Sequence, residues 1–221
     1  MSGGLPIDLI LFAMVAAFLV LRLRSVLGKR TGFERPPQAE PAPGIGQPAA
    51  READPLPPPA PGAVRRGIPD PRSPAGQALA RIQGVDRSFD PTAFLGGAEG
   101  AFRMIVDAFA RGDRATLRDL LSDDAYAGFE GAIAAREQAG ETQRTELRSI
   151  QDMAIEEADL RGTVADVTVR IVSDQVNLTI ASDGSISAGA EAVTEITDLW
   201  TFQRDLAVSD PTWKLVGTRP A

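Results

Sequence analysis

The chain offers few residue types for catalysis to work with. It contains no histidine and no cysteine, and its only lysines are Lys29 and Lys214. That removes the commonest general base and metal ligand, the thiol nucleophile, cysteine-bound zinc and any disulfide framework. Carboxylates remain. Period-two alternation puts Ile196, Asp198, Trp200 and Phe202 on one face of a strand, with Leu199 and Thr201 on the other. A carboxylate among such neighbours acts as a base only if its pKa is raised; otherwise it takes an ion-pair partner, for which Arg170 and Arg204 are the candidates. The structural pair is the expected role of Asp198. Neither Gly-x-Gly-x-x-Gly after a strand nor Gly-x-x-x-x-Gly-Lys-Ser/Thr occurs, so nucleotide binding has no motif to rest on. No catalytic residue, metal ligand or cofactor is expected, and the chain does not read as an enzyme.

A second group of residues suits binding rather than catalysis. If the face bearing Trp200 and Phe202 is concave, these rings meet Phe102, Phe109, Tyr126 and Phe129 from the helices. They then either line an apolar pocket or fill the core, and aromatic residues at helical or strand spacing are more often core. Tyr126 and Asp198 are the polar members of that set.

Helices and then strands must position these residues. Phe102, Ile105, Val106 and Phe109 recur at i, i+3, i+4 and i+7, one face of an amphipathic helix that Gly112 should stop. Asp113 is placed to cap a short helix bearing Leu117, Leu120 and Leu121. Ser122 is placed to cap a third, with Tyr126, Phe129 and Ile133 on one side and Gly140 at its end. Weakly periodic Leu79-Ala80-Arg81-Ile82 adds a short preceding helix, docked on the domain or lying on a membrane. After Gly140 the period changes to two, and residues 147–158, 163–173, 175–181, 193–203 and 212–218 read as strands. Asp183-Gly184 and Ser209-Asp210-Pro211 mark turns. The fold class is α+β, about three helices on one face of an antiparallel sheet.

The N-terminal third has a different character. Leu9 to Leu21 is an unbroken apolar run, in which Leu9, Phe12, Val15, Phe18 and Leu21 recur at spacings of three. The basic residues Arg22, Arg24, Lys29 and Arg30 lie directly after it. Counted from Leu5, about 17 residues span about 26 Å, just short of a hydrocarbon core. The positive charges stand C-terminal to the apolar run, the reverse of a cleaved signal peptide, and they keep the remainder of the chain on the cytoplasmic side. Residues 1–24 therefore read as a transmembrane anchor with the N-terminus outside. Residues 25–75 read as a basic flank and disordered linker, with 13 of the chain's 17 prolines between Pro36 and Pro74. As a coil it reaches on the order of 40 Å. Residues 76–221 form the domain, which carries 14 Lys and Arg against 24 Asp and Glu, a balance of −10. Such a domain gains nothing from a phosphate backbone, so nucleic-acid binding is not expected.

These segments carry a resemblance. The run Asp198-Leu199-Trp200-Thr201-Phe202-Gln203-Arg204-Asp205, with Asp210-Pro211-Thr212-Trp213-Lys214-Leu215 after it, resembles the C-terminal signature of the Tim44-like domain family, which includes the mitochondrial inner-membrane import-motor subunit. Phe94-Leu95-Gly96-Gly97-Ala98, Phe109-Ala110-Arg111-Gly112-Asp113 and Tyr126-x-x-Phe129 resemble its helical half. The anchor and proline-rich linker resemble its alpha-proteobacterial branch. The resemblance implies a cone-like fold similar to nuclear transport factor two, whose curved sheet encloses an apolar pocket. The long chaperone-engaging region of the mitochondrial subunit has no counterpart here, so chaperone binding does not carry over.

Anchor, linker and domain together suggest a single-pass protein of the inner, cytoplasmic membrane. Its domain would serve as an adaptor or scaffold for a protein partner, whether chaperone, translocon or ribosome, in protein translocation or membrane-protein biogenesis. The alternative is a carrier of lipid or another small apolar ligand in the cone pocket, and an enzyme with a pocket carboxylate ranks behind both.

Overall fold

The computed structural model describes residues 64–221. The anchor at 1–24 and most of the linker lie outside the described residues. Within them, no helix is long and apolar enough to cross a membrane. The last part of the stretch read as linker carries regular structure: Arg65–Gly67 is a strand, β1, and a helix begins at Pro74.

Each helix starts where a side chain can satisfy an orphan backbone N–H. Helix α1, Pro74–Val85, has proline in its first turn, and Ser73 Oγ accepts the Gly76 N–H at 3.0 Å. In α2, Pro91–Arg111, Asp90 accepts from the Thr92 N–H at 2.8 Å, and Gly112 ends the helix at φ 71°, where a side chain would strain. Asp113 caps α3, Arg114–Leu120, and Ser122 caps α4, Asp123–Gln138, as their positions predicted. Among the described residues the helices number four rather than about three. The additional one, α1, is the weakly periodic segment, and it docks on the domain: Ala78, Leu79 and Ile82 are buried while the rest of its surface is mostly small and polar.

Among the described residues the sheet has five strands in the order β1-β2-β3-β4-β5, with β2 Thr142–Arg161, β3 Val164–Ile180, β4 Ile186–Asp205 and β5 Lys214–Pro220. It is mixed, not antiparallel throughout, because β1 runs parallel to β2. Residues 163–173 and 175–181, read as two strands, form the single strand β3. Asp174 does not interrupt the ladder, since its carboxylate leaves the strand to accept from Ser149 Oγ at 2.8 Å and Gln151 Nε2 at 2.7 Å on β2. Register shifts on β2 at 147/149, 150/152 and 155/157 mark bulges, which bend and twist a strand.

The core lies between the helices and one face of β2–β5. Ala165, Val167, Val169 and Ile171 alternate along β3, each fully buried, and meet Leu95, Phe102 and Ile105 of α2 with Leu79 and Ile82 of α1. Beyond Ile171 the same face of β3 turns polar. Gln175 Nε2 donates to buried Ser173 Oγ at 2.8 Å, and Asn177 Nδ2 donates to Gln175 Oε1 at 3.1 Å.

Candidate functional site

The seven residues expected around a pocket separate into four groups, of which Phe109, Phe129 and Tyr126 pack against the core that holds Phe102, Trp200 and Phe202. Phe102, Trp200 and Phe202 are buried together in the core; the Phe102 and Trp200 rings meet edge to face with centroids 4.8 Å apart, and Trp200 and Phe202 at 6.4 Å. Phe109 and Phe129 form a separate pair, edge to face at 5.2 Å, with the Arg136 guanidinium 5.3 Å from the Phe109 ring. Tyr126 lies apart, under the guanidinium of Arg118 at 4.0 Å. Asp198 is half-buried on β4 between Ile171 of β3 and Pro220 of β5, and it is engaged by a partner. Three rings not assigned to the site complete the central cluster. Phe94 meets Phe202 at 6.0 Å and Trp213 at 4.9 Å, and Phe89 touches both Phe94 and Trp213. Phe89 lies in a connection and stands in no periodic pattern that would flag it, whereas Trp213 falls in the stretch 212–218 read as a strand without being assigned to the site.

Arg204 and Arg170, the candidate partners named for Asp198, each hold another carboxylate. Arg204 joins Asp86 at 3.0 Å, both groups 15% exposed, and so pins the end of α1 to β4. Hydrogen bonds from Ser88, together with the Arg204 charge, hold the Asp86 carboxyl below its ordinary range despite some burial. Arg170 joins Asp152 at 2.7 Å and Glu156 at 3.4 Å on the outer side of β2. The carboxyls of Asp86, Glu99, Asp113, Glu137, Glu146, Asp174, Asp183, Asp205 and Asp210 are held below their ordinary range by arginines, hydroxyls, the Gln151 amide or backbone N–H groups. Such groups stay ionised at neutral pH and pair with cations. No cluster of residues among those described could hold a metal ion.

The sheet carries strand edges at both margins. β1 pairs with β2 only over Asp152–Ala154, so residues 142–151 of β2 have no strand beyond them among the described residues. On the far side β5 pairs with β4 over Asp198–Gln203 and the Ala221 N–H donates to the Thr197 carbonyl, which leaves residues 186–196 of β4 with no strand beyond them among the described residues. The β1 margin is also charged. Arg66 Nη2 donates to Glu99 of α2 at 2.9 Å, Arg65 lies 4.0 Å from Asp152, and Val64 packs on the core. Burial alone would push Glu99 up, but hydrogen bonds from Arg66 and Arg103 and their charges hold it below the glutamate range. Next to β1, an open groove of about 420 Å³ is walled by Pro69, Asp70, Ser73 and Pro74 on one side and Glu156 to Ala158 on the other. No sequence pattern announces this margin, because its acids and arginines are separated by 33 positions or more.

The profile of one known family, described as the Tim44-like domain, matches residues 75–220. No curated protein matches the chain. Among solved structures, the intermembrane space region of the chloroplast protein ARC6 superposes with a TM-score of 0.42 and 14% identity. That match covers 57% of this chain and 95% of the other. A conserved protein from Planctomyces limnophilus DSM 3776 superposes with a TM-score of 0.32 and 16% identity, over 56% of this chain and 94% of the other. Neither superposition is close enough to carry fold or function to this chain.

Proposed function

The chain belongs to the Tim44-like domain family, and on that footing we propose that it is a membrane-tethered adaptor whose folded part binds a protein partner in protein translocation or membrane-protein biogenesis. The family's association with membrane protein translocation and import supports this reading. So does the order of segments in the sequence: an apolar run, a proline-rich spacer, then a domain that would search a restricted volume near the membrane at raised effective concentration. The observation that carries the binding role is the sheet with two incompletely paired margins, since an unpaired strand edge takes up extended segments through its backbone groups. The pathway, whether it runs through a chaperone, a translocon or a ribosome, is named by the partner.

The test is crosslinking in intact cells, then purification from membranes and mass spectrometry of the proteins and lipids retained. A reproducible translocation or ribosomal partner crosslinked to residues 76–221 is the expected result. A bound lipid with no protein partner would instead favour the carrier reading.

A further inference from the structure

We infer that the β1 position is an exchangeable seat for an extended partner segment of the pattern apolar-Arg-Arg-Gly, and that residues 64–67 of this chain occupy it in cis. The inference rests on the adaptor reading only for the source of the partner.

The seat is built from the folded body and is complete without β1. Glu99 and Asp152 are its anionic wall, their side chains 16% and 17% exposed, while Arg66 and Arg65 lie over them at 40% and 69%. Both acids have a second cation: Arg103 donates to Glu99 at 3.0 Å, and Arg170 to Asp152 at 2.7 Å. Removing β1 therefore leaves no carboxylate buried and unpaired, which is the usual penalty for breaking such contacts. The seat also selects shape. A Cβ at Gly67 would come within 2.8 Å of the Ala154 Cβ, so the residue after the two arginines must be glycine for the strand to lie this close.

The cis strand uses little of what the edge offers. Only three residues of β1 pair with β2. Pro57, Pro58, Pro59 and Pro61 precede it in sequence and have no N–H to extend a ladder along residues 142–151, and Pro69 closes it at the other end. A partner segment without those prolines, running parallel to β2 through the same Arg-Arg-Gly, would keep every contact of β1 and add backbone hydrogen bonds upstream. That surplus opposes the advantage of β1, which is its tether to α1 through Ile68 to Ser73.

The probe is a fluorescein-labelled peptide, Thr-Ile-Thr-Val-Thr-Val-Arg-Arg-Gly-Ile, titrated by anisotropy into the full-length protein in detergent micelles. Saturable binding is expected to wild type, at least about tenfold tighter to Arg65→Glu/Arg66→Glu, in which the cis strand is repelled from its seat, and lost in Glu99→Lys. Gly67→Ala, which displaces β1 by sterics alone, should also tighten peptide binding and serves if the double variant folds poorly. A peptide with Glu-Glu for Arg-Arg should bind at least about tenfold more weakly. Equal binding of the two peptides, or no gain in either vacated variant, would overturn the inference. So would dimers between wild type and the vacated variant in which residues 65–67 of a second copy fill the seat. Cellular crosslinks could still succeed if this exchange fails, so the two readings stand or fall separately.

Discussion

The two margins of the sheet are closed by strands of similar modesty held in opposite ways. β5 pairs with β4 through six registered residues, Leu215 is fully buried among the central aromatic cluster, and its carbonyl accepts the Ser122 N–H at 2.9 Å. Lys214 Nζ adds a hydrogen bond to the Asp119 carbonyl. β1 pairs through three residues, and its arginines, 69% and 40% exposed, reach carboxylates at the rim of the sheet. Apolar burial is worth about 25 cal/mol per Å² and cannot be replaced by water, whereas solvated ion pairs contribute on the order of 1 kcal/mol or less. One margin is thus part of the core, and the other is a removable clasp.

The comparison breaks most visibly at the apolar side. Trp200→Ala removes the ring that links Phe102 to Phe202 and should cost on the order of 3 to 5 kcal/mol in denaturant unfolding. Leu215→Ala should cost on the order of 2 to 5 kcal/mol and release β5 from α3 and α4. A loss under about 1 kcal/mol for either would mean that these side chains line open space and do not hold the core.

Changes at the clasp should be smaller and local. Arg66→Ala should lower global stability by about 1 kcal/mol or less while speeding amide exchange in residues 65–67 well above that of β5. Gly67→Ala should do the same through the 2.8 Å approach to Ala154, with no charge removed. A subtler separation comes with pH. The Glu99 carboxyl is held below its ordinary 4.5, so its contribution is fully present above that value and is lost as pH falls through the lower folded value. Acid titration below pH 4.5 should therefore loosen β1 before β5 responds, and Glu99→Gln should remove that early step.

Most of the frame is legible in the sequence because its signals are local. Asp113 and Ser122 announce α3 and α4 by capping chemistry, Gly112 ends α2, and alternation around Val167 and Trp200 gives the buried faces of β3 and β4. What escapes is set by distant partners. Asp174 resembles a strand break until Ser149 and Gln151 are seen to receive its carboxylate. Phe89 and Trp213 join the aromatic cluster only through tertiary packing. β1 has no period and sits among prolines, and its reasons for forming are Glu99 and Asp152, far along the chain.

The measurement that decides between a clasp and a core strand is hydrogen exchange on the full-length protein at neutral pH, resolved at β1 and β5. The amides of Arg65 to Gly67 are expected to exchange by local opening, at least about a hundredfold faster than those β5 amides that bond to β4, which open only with the domain. Equal protection of the two strands would mean that β1 is as permanent as β5, and would contradict both the distinction between the margins and the exchange built on it.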